Sequence, residues 1–157
     1  MALDALDKAL IKLLNINGRM PTGEVAKELD VTNPTVRSRM RNLISSGVLK
    51  IAGLVDAFKI ENLTVAIIAL NIEKHIQLDQ KVEQISDLDM VHWAAVVTGR
   101  YDIMVEVVST RGMNDLYRFL TEDLPRVGGI LSSESFVVMK AKHKWILLPE
   151  NLKNMVK

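Results

Sequence analysis

Residues 31–49 read VTNPTVRSRMRNLISSGVL, and their spacing decides the architecture of the amino-terminal part. Thr32 stands where an N-cap belongs, its hydroxyl able to accept a backbone N–H of the first helical turn. Asn33-Pro34 follows, and proline is tolerated there because first-turn N–H groups have no intrahelical partner. Val36, Met40 and Leu43 then recur at helical spacing, one apolar stripe at roughly 100° per residue. Pro34, Ser38 and Arg41 fall on the opposite side, flanked by Thr35 and Arg37. Gly47 ends the helix.

Working back toward the amino terminus, Leu3, Leu6, Leu10, Leu13 and Leu14 recur at three- and four-residue steps, predicting an amphipathic helix that ends near Asn17-Gly18. Pro21 and Thr22 open a second, short helix that turns Val25, Ala26 and Leu29 inward. Asp30-Val31 turns the chain, and Asp tolerates the left-handed backbone such a turn can demand. Three short helices with a tight turn between the second and third describe a helix-turn-helix. Val48 to Phe58 reads as a short extended hairpin or wing leading out of it. The division expected is 1–50 for the DNA-binding winged helix-turn-helix, 51–61 for a wing or linker strand and 62–157 for a second domain.

Past residue 62 the periodicity changes. LTVAIIALNIE (63–73) is a buried strand, and Leu78, Val82, Ile85 and Leu88 mark a helix. MVHWAAVV (90–97) and DIMVEVVS (102–109) are strands around the turn Thr98-Gly99-Arg100-Tyr101-Asp102. Met113, Leu116, Tyr117, Leu120 and Leu124 mark a second helix stopped by Pro125, and Ile130 to Leu148 supplies a last long strand. The order β-α-β-β-α-β is the split βαβ, or ferredoxin-like, arrangement, in which both helices cover one sheet face. The other face is left bare, although its strands are apolar on both sides, so it is expected to bury itself against another subunit. The fold class is therefore α+β, and a homo-oligomer is expected.

The composition narrows the chemistry. Of 157 residues, 48% are apolar and 25% charged, which describes a folded globular chain. The start of the chain carries Asp4 and Asp7 and no basic leader, and no apolar run reaches membrane-spanning length, so a cytoplasmic protein is expected. The absence of cysteine removes disulfides, thiolate metal sites and Cys nucleophiles. His75, His92 and His143 are scattered without metal-ligand spacing, and neither a G-x-S-x-G elbow nor a phosphate-binding Gly loop is present. No metal, cofactor or catalytic residue is expected. Charge is uneven: residues 1–60 hold nine Lys or Arg against six Asp or Glu, the remainder eleven against thirteen. Between Val31 and Val55 stand Arg37, Arg39, Arg41 and Lys50 and no acid, the local excess that a polyanion requires.

For double-stranded DNA the physical requirement is a helix offering donors to base edges near its amino end and cations to phosphates along its flanks. Thr32, Asn33, Pro34, Thr35, Ser38 and Arg41 are the groove-side candidates, with Arg37, Arg39 and Lys50 as phosphate partners. Arg39 lies closest to the apolar stripe, and an ion pair with an acid of the first two helices is an equal alternative.

Taken together, LDALDKALIKLL (3–14), GRMPTGEVAKEL (18–29), residues 31–49, VTGRYDIMVEV (97–107), MNDLYRFL (113–120) and SFVVMKAK (135–142) resemble the Lrp/AsnC, or feast-or-famine, family of transcriptional regulators. The resemblance covers essentially the whole chain. It implies a winged helix-turn-helix reading a palindromic operator and a carboxy-terminal RAM-type βαββαβ domain that forms dimers and higher oligomers, octamers among them. It also implies a small effector, often an amino acid, bound between protomers. The matching positions are Ala95, Val96, Thr98, Gly99, Arg100, Tyr101, Asp102 and Met113, with the partner's Phe136, the partner's Val137 and the partner's Val138. Asp102 can pair an α-ammonium group, and turn N–H groups can take a carboxylate. Asp30, where the family frequently has glycine, and Arg100, at a position acidic or neutral in many relatives, depart from the pattern. Two alternatives share parts of this reading: an enzyme similar to the siroheme decarboxylases, and a protein that bridges DNA without reading its sequence.

Overall fold

Asp4 starts the first helix. Its carboxylate accepts the Asp7 N–H at 2.8 Å and the Asp7 carboxylate accepts the Asp4 N–H at 3.3 Å, a reciprocal capping box. The computed structural model describes residues 2–148, and the end of the expected second domain, 149–157, lies outside them. The chain divides between Gly53 and Leu54 into two units. In the first, α1 spans Ala5–Ile16, α2 Thr22–Glu28 and α3 Asn33–Ser45. Leu10, Leu14, Val25, Ala26, Val36 and Leu43 form its core, with Leu3, Leu13, Leu29 and Met40 packed against it. Burying each of the larger side chains contributes about 1.5–3 kcal/mol, which holds three helices too short to persist alone. Asp30 takes a φ of 50° in the turn between α2 and α3, and Gly47 takes 72° just past the end of α3.

In the second unit, β1 is Val55–Asp56, β2 Thr64–Ile72, α4 Leu78–Ser86, β3 Val91–Val96, β4 Ile103–Ser109, α5 Met113–Arg118, β5 Ile130–Val137 and β6 Trp145–Ile146. The antiparallel sheet runs β3-β4-β2-β5, the ferredoxin-like order. Alternation along β2 sends Ala66, Ile68, Leu70 and Ile72 to the helix-covered face. There they meet Ile103, Val105 and Val107 of β4, Ile85 of α4, and Leu116, Phe119 and Leu124.

Four expectations are corrected. Of the hairpin or wing expected over 48–58, no internal hairpin forms; the extended segment Val55–Asp56 pairs instead with Ile146 and Trp145. The strand expected over Ile130–Leu148 breaks after Val137. Lys140, Lys142, His143 and Lys144 interrupt its apolar alternation there, and His143 takes a φ of 57°. The helix expected to stop at Pro125 leaves α geometry at Phe119, continues as a π turn over Phe119–Asp123 and tightens to a 3-10 turn over Leu124–Val127. That change keeps Phe119 and Leu124 both buried. Finally, the second sheet face is only partly bare: the β1–β6 ribbon covers one end, sealing Ala57, Val65, Val108 and Ile146. Trp93 and Phe136 on that face stay 39% and 46% exposed.

Candidate nucleic-acid interface and effector turn

α3 is oriented by its apolar stripe: Val36 and Leu43 are buried, so the opposite side faces solvent. Thr32 caps the helix, its Oγ1 accepting the Thr35 N–H at 3.3 Å and standing 2.8 Å from the Thr35 hydroxyl. Thr32→Ala is expected to cost about 1 kcal/mol, read as a lowered melting temperature of the full chain. Asn33, Pro34, Arg37, Ser38 and Arg41 line one shallow concavity of about 450 Å³ on the outer side of the helix. The Asn33 Oδ1 is buried without a hydrogen-bond partner among the described residues. Arg37, Arg41 and Lys50 are exposed, and among the described residues no carboxylate lies within 4.0 Å of them.

Arg39 behaves differently. Its Nη1 lies 2.6 Å from Asp4 and 3.2 Å from Asp7, tying α3 to the cap of α1. Of its two readings, the ion pair is the one its geometry makes. The Asp4 carboxyl is held below the usual carboxylate range, first by the Asp7 N–H and then by Arg39, and the guanidinium is raised in turn by Asp4.

In the second unit, β3 and β4 join through Thr98–Tyr101, with the Val97 N–H donating to the Asp102 carbonyl at 2.9 Å. Gly99 takes a φ of 126°, a conformation that L side chains rarely adopt. Asp102 ties this turn to the end of β2 and the residues after it: its Oδ2 accepts the Ile72 N–H at 2.8 Å, and its Oδ1 faces the His75 Nε2 at 3.4 Å. The Arg100 guanidinium lies 5.4 Å from the Tyr101 ring centroid, within cation–π range. The Tyr101 hydroxyl donates to Glu134 of β5, and this bond raises the phenol above its ordinary value.

Within one protomer the expected effector residues divide. Thr98, Gly99, Arg100, Tyr101 and Asp102 cluster at the turn, with Ala95 and Val96 on the strand leading to it. Phe136 and Val137 pair with Ile67 and Ala66, and Val138 donates to the Val65 carbonyl, all toward the other end of β2. Met113 opens α5 beyond the far end of β4 and is 57% exposed. His75 and Glu134, which sequence reasoning did not place here, come to the turn from β2's exit and from β5. No local spacing signals either one, because only strand register brings them close.

A helix-turn-helix with an acid-free outer face, joined to a ferredoxin-like domain with a polar turn, defines a DNA-binding protein with an attached ligand-binding domain. The AsnC-type helix-turn-helix domain matches residues 3–44, and the Lrp/AsnC ligand-binding domain matches residues 65–145. The chain belongs to the Lrp/AsnC family of transcriptional regulators. It is 36% identical over 144 residues to an uncharacterized HTH-type transcriptional regulator of Pyrococcus abyssi, covering 91% of this chain and 89% of the relative. Its fold is shared with a solved regulator of Pyrococcus horikoshii, at a TM-score of 0.78 and 24% identity over 94% of this chain and 99% of that one. It is also shared with a feast or famine regulatory protein from M. tuberculosis complexed with L-methionine, at a TM-score of 0.70 and 22% identity over 91% and 96%. These relatives bear the names of transcriptional regulators, and among the described residues no helix is long and apolar enough to cross a membrane.

Proposed function

We propose that this regulator acts in the cytoplasm as a symmetric homo-oligomer that reads an imperfect palindrome and answers to an amino acid. The observation that carries the reading is the outer side of α3, where Arg37 and Arg41 flank Ser38 in one concavity. Guanidinium groups there can take guanine O6 and N7 or phosphate oxygens. Two copies related by a twofold axis would present two such helices ~34 Å, or a multiple, apart. Selection from a pool of random duplexes tests this. A recovered inverted repeat with half-sites at that spacing is expected, and recovery of unselected sequence would replace it with nonspecific bridging. The sheet face carrying Trp93 and Phe136 supports a contact with a second copy, since its exposed aromatic area favours a protein contact.

The L-methionine carried by the structural neighbour supports an amino-acid effector, and the turn at 98–102 is where its charged ends find partners. Asp102→Asn keeps an acceptor for the Ile72 N–H but removes the charge that an α-ammonium group would pair. It is expected to weaken effector binding roughly ten- to hundredfold, as befits a charged hydrogen bond of about 1.5–3 kcal/mol, while leaving basal DNA binding unchanged. Calorimetry against the twenty amino acids checks it, and equal affinity in both proteins would remove Asp102 from the effector contact.

A further inference from the structure

Glu106 is 2% exposed, yet it belongs to the sheet face turned away from the helices, where it pairs with Ile67 of β2 and Trp93 of β3. Its oxygens are both engaged. Oε1 lies 2.7 Å from the His92 Nδ1, and Oε2 accepts from the Lys144 Nζ at 2.5 Å. The register of β3 against β4 shifts between Val91 and Trp93, and His92 is the residue this bulge sets aside and aims at the carboxylate. Lys144 comes from the residues just before β6, whose carbonyl also takes the Ala57 N–H at 3.3 Å. The charged groups facing the imidazole among the described residues are therefore Glu106 from β4 and, across it, Lys144. The side chains of His92 and Lys144 are 21% and 29% exposed, so water still reaches the trio from the open side.

With a neutral imidazole, carboxylate and ammonium cancel; with a protonated one, the trio carries a net positive charge. Imidazole is the side chain whose charge ordinarily changes between about pH 5 and 8. A symmetric contact brings the same patch of both copies into one interface, and so withdraws water from two such charges at once. We propose that self-association through this face is proton-linked by His92, Glu106 and Lys144, tightening as pH rises and loosening as it falls. The inference rests on the reading of this face as the contact between two copies.

Sedimentation equilibrium of the full chain at pH 8, 7 and 6, at constant ionic strength, tests it. The dimer dissociation constant is expected to rise at least tenfold from pH 8 to pH 6; linkage allows up to about tenfold per pH unit for each imidazole. His92→Gln is expected to flatten that dependence, while His75→Gln and His143→Gln keep it. Glu106→Gln strands the Lys144 charge and is expected to weaken the dimer at every pH. If circular dichroism shows that this variant does not fold, the histidine variants decide the matter. A dimer of constant affinity across the range, or a slope that survives in His92→Gln, overturns the proton linkage and leaves the interface standing. A chain that is monomeric at all three pH values overturns both.

Discussion

Replacing Arg37 and Arg41 together by alanine is expected to weaken operator binding by roughly one and a half to four orders of magnitude. Each guanidinium that reads a base contributes about 1–3 kcal/mol, and about 1.4 kcal/mol is a factor of ten. Both side chains project from α3 beside Ser38, and neither has an acidic partner among the described residues to release first. Fluorescence anisotropy on operator and random duplexes, at several salt concentrations, separates their roles. Loss of a base contact relaxes specificity at one position, whereas loss of a phosphate contact lowers affinity for all sequences and reduces the salt slope by about 1. Unchanged affinity on every duplex would take both residues out of the interface. Arg39 makes the instructive contrast, since its charge is committed to Asp4 and Asp7.

Phe119→Ala is expected to destabilise the second unit by about 3–5 kcal/mol, the range for emptying an aromatic site in a core. Phe119 is 1% exposed and lies in the cluster that includes Ile68, Leu70, Ile85 and Leu116. It also stands where α5 passes into the π turn, so the cavity would open where the helix is already irregular. A loss of that size is a large fraction of the ~5–15 kcal/mol that holds a typical domain. Denaturant unfolding followed by circular dichroism measures it, and a change below about 1 kcal/mol would mean that the site collapses around the missing ring.

Legibility differs sharply between the two units. The helix-turn-helix could be read because its signals are local: Thr32, Pro34 and Gly47 mark the ends of α3, and Val36, Met40 and Leu43 mark its inner side. Three strands of the sheet were legible for a related reason, since apolar runs bounded by turn residues mark β2, β3 and β4 within 63–109. The errors fell where pairing is remote or geometry irregular. Nothing near Val55 announces Ile146 as its partner. Pro125 signals a helix stop, yet the change of helical pitch comes earlier, at Phe119, where packing of Phe119 and Leu124 outweighs ideal geometry.

The candidate sites divide in the same way. Arg37, Ser38 and Arg41 share one side of one helix, so spacing alone placed them together. Asp102 could be singled out from its turn, but its bonds to Ile72 and His75, and the approach of Glu134 to Tyr101, depend on how β2 and β5 lie against the hairpin. His92, Glu106 and Lys144 illustrate the limit most clearly, being fourteen residues apart in one pair and farther in the other.

By itself the sequence determined the two-part plan, the inner and outer sides of α3, the order of strands and helices, and the position of the polar turn. These follow from periodicity, capping and turn chemistry, which act over a few residues. Only the tertiary structure decided that Arg39 is held by the α1 cap, that the β1–β6 ribbon covers one end of the open sheet face, and that a buried carboxylate beneath it is shared by an imidazole and an ammonium group. Those outcomes come from strand register and from long side chains meeting across the fold, where burial makes an unpaired charge costly enough to select its partner.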